Sequence, residues 1–298
     1  MLKKIIGILL GMGLFTLPVY AGQGDGGEAG AFLKMGAGAR ALALGKAYVA
    51  LADDATASYW NPAGLTQLKG RNLYLMYGEP FDKISGIGYS LAGYAQPTTW
   101  GSIGASLIYL SVDGLEKANS NGPTGHEFGD KEMALLLSYG KEINPALSLG
   151  ATLKGISQEI DSDKDSGFGL DVGLLYRPTT QLAKLKVGIV LQDLVRANIR
   201  EEKMPLRLRL GVASYLLRDD RLRLSIGADL AADRSVKGHV GAEYEFLKNL
   251  SLRAGYSTDN EEITGGLGFK IKQFCLDYAY GSHNDLGATH RVSLGVKF

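Results

Sequence analysis

From Arg71 to the C-terminus, apolar and polar residues exchange places at every second position, in segments of about ten residues separated by turn chemistry. The segments run 71–78, 85–96, 99–111, 132–142, 146–159, 166–177, 185–193, 204–217, 220–232, 237–247, 249–258, 262–271, 273–281 and 289–298, about fourteen in all. Ten residues rising about 3.3 Å each, tilted about 40°, span roughly 25 Å of hydrocarbon. The faces are sharpest in the second half. Leu206, Leu208, Leu210 and Val212 oppose Arg207 and Arg209; Leu222, Leu224, Ile226 and Leu230 oppose Arg221, Arg223 and Asp229. Val240, Ala242, Tyr244 and Phe246 oppose His239, Glu243 and Glu245, and Arg253, Lys270, Asp277, Arg291 and Lys297 continue the polar side.

Alternation alone does not choose between a soluble sandwich, with its charges in water, and a membrane barrel, with its charges in the lumen. Connection lengths do. Those after even-numbered segments are short (Pro97–Thr98, Ile143–Pro145, Arg218–Asp219, Lys248, Lys272, with Pro178–Lys184 the longest), whereas the connections after odd-numbered segments include the longest ones, Val112–Lys131 and Leu194–Lys203. That parity predicts a transmembrane antiparallel β-barrel of about fourteen strands with both termini periplasmic. The last segment alternates His290, Val292, Leu294, Val296 and Phe298 to a terminal aromatic, the pattern that marks barrels for outer-membrane insertion. Tyr109, Tyr139, Tyr176, Tyr244 and Tyr256 lie near segment ends, where interfacial girdles belong.

Upstream of the strands, Gly36–Leu65 is small, Gly/Ala-rich and weakly patterned. A closed sheet has an inside to be filled, and this stretch is placed to fill it. Asp54 is positioned to cap a helical turn over Ala55–Tyr59, and Asn61 before Pro62 to stop it and cap a second turn over Pro62–Leu65. Residues 1–21 read as a secretory signal: Lys3 and Lys4, an apolar run Ile5–Leu17, and Val19-Tyr20-Ala21 as the cleavage site. Residues 22–30 then form a flexible tail, 31–68 a hatch folded in the lumen, and 69–298 the barrel. Loss of the two signal lysines takes the formal charge from +1 to about −1, which gives no reason to expect nucleic acid as a partner. Cys275 is the only cysteine, so no intrachain disulfide can form.

The run GARALALGKAYVALADDATASYWNPAGL resembles the N-terminal signature of PorV/PorQ-type outer-membrane proteins, relatives of the FadL-type transporters of hydrophobic compounds. Arg40, Asp53, Asp54, Ala55, Asn61, Pro62, Ala63, Gly64 and Leu65 occupy the signature positions. The resemblance implies a barrel with an internal hatch in the bacterial outer membrane. It further implies an accessory role in type IX-like protein secretion, with secreted proteins or secretion-machinery subunits as partners. The FadL-type relatives imply instead passive transport of a small hydrophobic ligand through a gated lumen, with the Asn61-Pro62-Ala63 turn near the constriction. Outer-membrane lipid surrounds the wall in either case.

Candidate chemistry is sparse. Arg207, Arg209, Arg221, Arg223, Glu243, Glu245, Arg253 and Asp277 are expected to form cross-strand pairs in the lumen, as a shape-holding network, a polar conduit or a docking surface for the hatch. Tyr74, Met76, Leu136 and Leu175 fall on the lumen phase of the early strands, predicting a greasy half beside a charged half. Asp161, Asp163 and Asp165 suggest a calcium loop, but Gly167 comes one place late and Val172 stands where a bidentate glutamate is needed. A solvated acidic loop fits better. No metal spacing links His126, His239, His283 and His290, no Ser, His and acid cluster is identifiable, and neither an enzyme nor a cofactor is expected.

Overall fold

A computed structural model describes residues 29–81, 86–120, 122–178, 184–231, 235–259, 261–283 and 287–298. The expected signal, 1–21, and most of the tail, 22–30, lie outside these residues. The strands are β1 (Asn72–Glu79), β2 (Ile87–Thr98), β3 (Gly101–Asn119), β4 (Gly122–Asn144), β5 (Leu147–Ile160), β6 (Asp163–Tyr176), β7 (Lys184–Val195), β8 (Asn198–Ile199), β9 (Glu202–Lys203), β10 (Arg207–Leu216), β11 (Leu222–Ala231), β12 (Lys237–Leu247), β13 (Leu250–Ser257), β14 (Glu262–Ile271), β15 (Phe274–His283) and β16 (Gly287–Lys297). All but β8 and β9 form one closed antiparallel barrel of fourteen strands in sequential order, with β10 pairing directly to β7. Closure is by β1 on β16, from Asn72 opposite Lys297 to Glu79 opposite His290, and the Phe298 N–H donates to Arg71 O at 2.9 Å. No edge strand remains open in the wall, which satisfies the backbone of a sheet that turns an apolar face outward.

The faces sort as a membrane barrel requires. On β4, Leu135 and Leu137 are 45 and 49% exposed, and Leu136 between them is 1% exposed. Leu75, Leu153, Leu210, Leu252, Leu267 and Leu294 continue the outward apolar belt, while Arg209, Glu243, Arg253, Asp277 and Arg291 are buried inside. Tyr176, Tyr244 and Tyr256 are exposed on the outer face. Among the described residues, no helix is long and apolar enough to cross a membrane, so any crossing is made by strands.

The two long connections differ from expectation. Val112–Lys131 is not a loop: β3 and β4 continue as a hairpin, through register shifts at Val112/Leu115 and Glu116/Ala118, until Asn119 faces Gly122. Beyond Val112 both faces of this hairpin are polar and mostly exposed, so no alternation marks it as strand. Leu194–Lys203 carries the small β8–β9 hairpin, whose Arg200 and Glu201 both have positive φ (52° and 66°), the geometry of a tight two-residue turn. This hairpin sits at the mouth of the barrel distant from Asn72 and Lys297, and buries Ala197, Ile199 and Met204.

Candidate functional site

Residues 31–68 form a string of short elements: a 3-10 turn Ala31–Met35, helices Ala39–Ala43 and Ala57–Trp60, and a 3-10 turn Pro62–Gln67. None is long enough to be stable alone. The wall supplies what they lack. The Ala39 and Ala55 N–H groups donate to Ser293 Oγ (2.9 Å) and Asn72 Oδ1 (2.7 Å), and the Gly36, Ala43 and Ser58 carbonyls accept from Tyr89, Thr264 and Thr152 hydroxyls at 2.9, 3.1 and 3.0 Å. Buried backbone groups that would otherwise be orphaned are therefore satisfied from strands around the ring.

Close approach is made possible by inward-facing glycines. A Cβ at Gly150 would lie 2.4 Å from Ala63 N, one at Gly255 2.2 Å from Gly45 N, and one at Gly188 2.6 Å from Val49 O. Gly140, Gly211 and Gly241 meet hatch backbone in the same way. Much of the chain's glycine is thus a seat for the hatch.

The two capping residues act locally, with a shift. Asp54 Oδ1 accepts from the Thr56 N–H (2.9 Å) and hydroxyl (2.5 Å), closing a turn ahead of a helix that begins at Ala57, two residues later than expected. Asn61 Oδ1 accepts from the Ala63 N–H at 3.1 Å and so caps the second turn, with Pro62 in its first position. Asn61 Nδ2 donates to Val49 O (3.0 Å) and across to Leu174 O of β6 (3.1 Å), tying hatch to wall. Pro62 and Ala63 lie over Gly150, and Gly64 is seated where a Cβ would fall 2.3 Å from Ala52 O.

The strongest connection joins the signature arginine to the lumen charges. Arg40 Nε and Nη2 donate to Glu243 Oε2 and Oε1 at 2.8 and 3.0 Å, a two-pronged pair between hatch and β12. Arg40 Nη1 also reaches Asp53 (2.5 Å) and Tyr48 OH (2.9 Å), and Tyr48 OH donates to Asp54 Oδ2 at 3.0 Å. Glu243 additionally receives Arg223 from β11 and Arg253 Nε from β13 at 2.7 Å, and Arg253 Nη1 continues to Asp277 at 2.7 Å. Glu245 lies 3.5 Å from Arg223. One buried carboxylate is therefore the hub of three guanidiniums, one of them from the hatch.

Arg209 pairs with Asp229 at 3.0 Å and spreads its guanidinium over Tyr59 and Trp60, 5.3 and 5.0 Å from the ring centres. The remaining two candidates stand apart. Arg207 bonds only the neutral Gln192 (3.4 Å), and Arg221 donates to Phe246 O (3.2 Å) at the opposite end, so among the described residues neither meets a carboxylate. The acidic run does not converge either. Asp161 takes Lys117, the Asp163 carbonyl takes Arg200, and Asp165 takes the N–H groups of Ser166 and Arg200. No group of three potential metal ligands occurs among the described residues.

Two features escaped the sequence. Lys154, fully buried on β5, lies 2.8 Å from Asp171 of β6 and bonds Asp193 of β7, whose positive φ (58°) marks a bulge in the β6–β7 ladder. Lys154 is on the lumen phase of its strand, a signal that strict face counting could have used. Lys46 of the hatch lies 3.0 Å from Asp259 in the turn after β13. Burial alone would raise the Asp259 carboxyl, but Lys46 overrides it and holds the group at about 2. On the early strands Tyr74, Met76, Leu136 and Leu175 are all buried, with Tyr89, Leu91, Ile108 and Ile156 beside them, but the same side also buries Glu132, Lys154 and Asp171, so it is not the uniformly greasy half that was expected.

No protein-family model matches the chain, and no curated protein does. Solved structures do. The Pseudomonas putida toluene transporter TodX superposes with a TM-score of 0.55 at 13% identity, over 80% of this chain and 91% of its own. A TodX deltaS2S3 mutant monoaromatic hydrocarbon channel gives 0.60 at 14%, over 82% and 94%. A Pseudomonas aeruginosa FadL homologue gives 0.59 at 11% identity, over 86% of this chain and 97% of that one. At such identities the likeness is one of fold, and the fold is that of FadL/TodX-type outer-membrane barrels.

Proposed function

We propose that the protein is a passive channel for small hydrophobic compounds in the bacterial outer membrane, closed in the state seen here by its own hatch. The observation that carries this reading is the architecture it shares with TodX and the FadL homologue, together with an apolar cluster inside the β1–β6 side of the barrel, formed by Tyr89, Leu91, Ile108, Leu136 and Ile156 beside the buried Lys154–Asp171 pair. An apolar solute leaving water gains roughly 25 cal/mol per Å² it buries, so such a cluster favours an apolar solute over a hydrated sugar or ion. The charged half, centred on Glu243, holds the hatch rather than the solute. Passage then requires the hatch to shift. The secretion role implied by the PorV/PorQ resemblance draws no support from these neighbours.

The test is uptake by cells or vesicles carrying the protein. Radiolabelled toluene or a similar monoaromatic hydrocarbon should enter faster than in protein-free controls, and a sugar of comparable size should not. Equal acceleration of both, or of neither, refutes the reading.

A further inference from the structure

The chain between β7 and β10 turns inward over the mouth of the barrel. Its hairpin, β8–β9, lies on the inner face of β6. Gly167 is buried there between the exposed Ser166 and Phe168, and a Cβ added to it would fall 2.7 Å from Asn198 O and 3.2 Å from Ala197 Cβ. Asp165, on the same inward phase, accepts the Arg200 N–H at 2.5 Å, and Arg200 Nη2 donates to the Asp163 carbonyl at 3.0 Å. The stem is closed by the Met204 N–H, which donates to Ala197 O at 2.9 Å. The hairpin has two unlike sides. Arg200, Glu201, Glu202 and Lys203 are exposed, whereas Ala197, Ile199 and Met204 are 0, 2 and 4% exposed and join the apolar cluster that holds Ala29, Phe32 and Leu33 at the start of the hatch. Met204 touches that start directly: a Cβ on Gly30 would lie 2.9 Å from Met204 Cε. A connection that merely joined two strands in water would leave its apolar side chains at the surface, as loops do.

We propose that β8–β9 is a lid: it covers the N-terminal end of the hatch, and it lifts before a solute entering by this mouth can reach the hatch. The gating half of the proposal rests on the channel reading, and the covering half does not. The hairpin is two residues per strand, too short to hold its shape alone. Arg200 and Glu201 both sit at positive φ, a conformation that their side chains disfavour, so docking on Asp165 and over Gly30 is what keeps the turn in place. An element held by so few contacts belongs to the low-stability end of the molecule, where local opening occurs without opening the wall.

The experiment labels a thiol beneath the lid. Ala29→Cys places one beside Gly30, and the native Cys275, near the end of the barrel that carries Lys297, is the internal reference. Both are reacted with a maleimide in the purified full-length protein in detergent, and the rate at each site is read by peptide mass spectrometry. Asp165→Ala removes the acceptor for the Arg200 N–H, and Met204→Ser uncovers Gly30. Each should speed labelling at position 29 by about tenfold or more and leave Cys275 unchanged. No acceleration in either variant overturns the lid. Acceleration of both thiols together also overturns it, because the substitutions then loosen the wall. Toluene uptake by vesicles carrying the protein tests the gating half: both variants should exceed the parent, and faster labelling with uptake equal to the parent's overturns the gate. If the parent itself carries no toluene, the channel reading has failed, and labelling alone decides whether the hairpin covers the hatch.

Discussion

Replacing Arg40 by alanine should release the hatch and leave the wall intact. Arg40 donates two charge-assisted hydrogen bonds to Glu243, and each such bond contributes about 1.5–3 kcal/mol. Glu243 is not stranded by the change, because Arg223 and Arg253 remain on it. Asp53, with its side chain 28% exposed, can rehydrate in part. The net loss is therefore close to the two bonds at the low end of their range, about 3 kcal/mol, or roughly a hundredfold in the ratio of docked to undocked hatch. Glu243→Gln is a less clean probe, since it leaves three guanidiniums around one neutral amide and strains β11–β13 as well. Amide hydrogen exchange of the detergent-solubilised protein separates the cases. In Arg40→Ala, peptides from 39–67 should exchange on the order of a hundredfold faster, with β12 and β13 unchanged. Arg40→Lys, a point charge without the fork, should fall between. If the hatch peptides keep their protection, the latch is energetically idle; if hatch and wall accelerate together, Arg40 supports the barrel and not the docking.

Other consequences can be checked alongside. Gly173→Ala would place a Cβ 2.3 Å from Asn61 Oδ1, and such overpacking costs about 1–3 kcal/mol, so hatch protection should fall. Gly265→Ala, whose nearest atom is 3.8 Å away, should do nothing, and equal effects at the two positions would mean that the inward glycines do not seat the hatch. Leu137→Arg, on the outward belt of β4, should reduce refolding into lipid vesicles by about 2–4 kcal/mol, while a soluble protein would tolerate the change. Asp259, held at about 2, contributes stability that is complete above the unfolded value near 4 and is lost as pH falls through 2. Exchange of residues 39–52 should therefore quicken between about pH 4 and pH 2, and Asp259→Asn should abolish that acid step.

How much of this was legible in the sequence follows from which forces are local. Strand alternation is local, and the fourteen barrel strands fall where period two places them, from Asn72–Glu79 to Gly287–Lys297. Asn61 caps its own turn through the Ala63 N–H, again a short-range bond. The extension of β3 and β4 past Val112 was invisible because a two-sided polar hairpin has no face to pattern. Partner choice among charges was equally hidden. Arg207 and Arg209 share a face, yet two residues of rise put one in the mouth and the other over Trp60. Arg40 and Glu243 meet across 203 residues because the ring closes around the hatch, a distance no spacing rule covers. The same closure gathers Lys154, Asp171 and Asp193 from three strands.

The claim that the hatch must move for a solute to pass is tested most directly by stapling it. A Cβ built on Gly93 of β2 lies 3.4 Å from Ala55 Cβ, about the separation a disulfide requires. In a Cys275→Ser background, Ala55→Cys/Gly93→Cys should form that bond on oxidation and stop hydrocarbon uptake, with uptake restored by reductant in the same vesicles. Uptake that is the same oxidised and reduced, with the disulfide confirmed by mass spectrometry, would contradict the account.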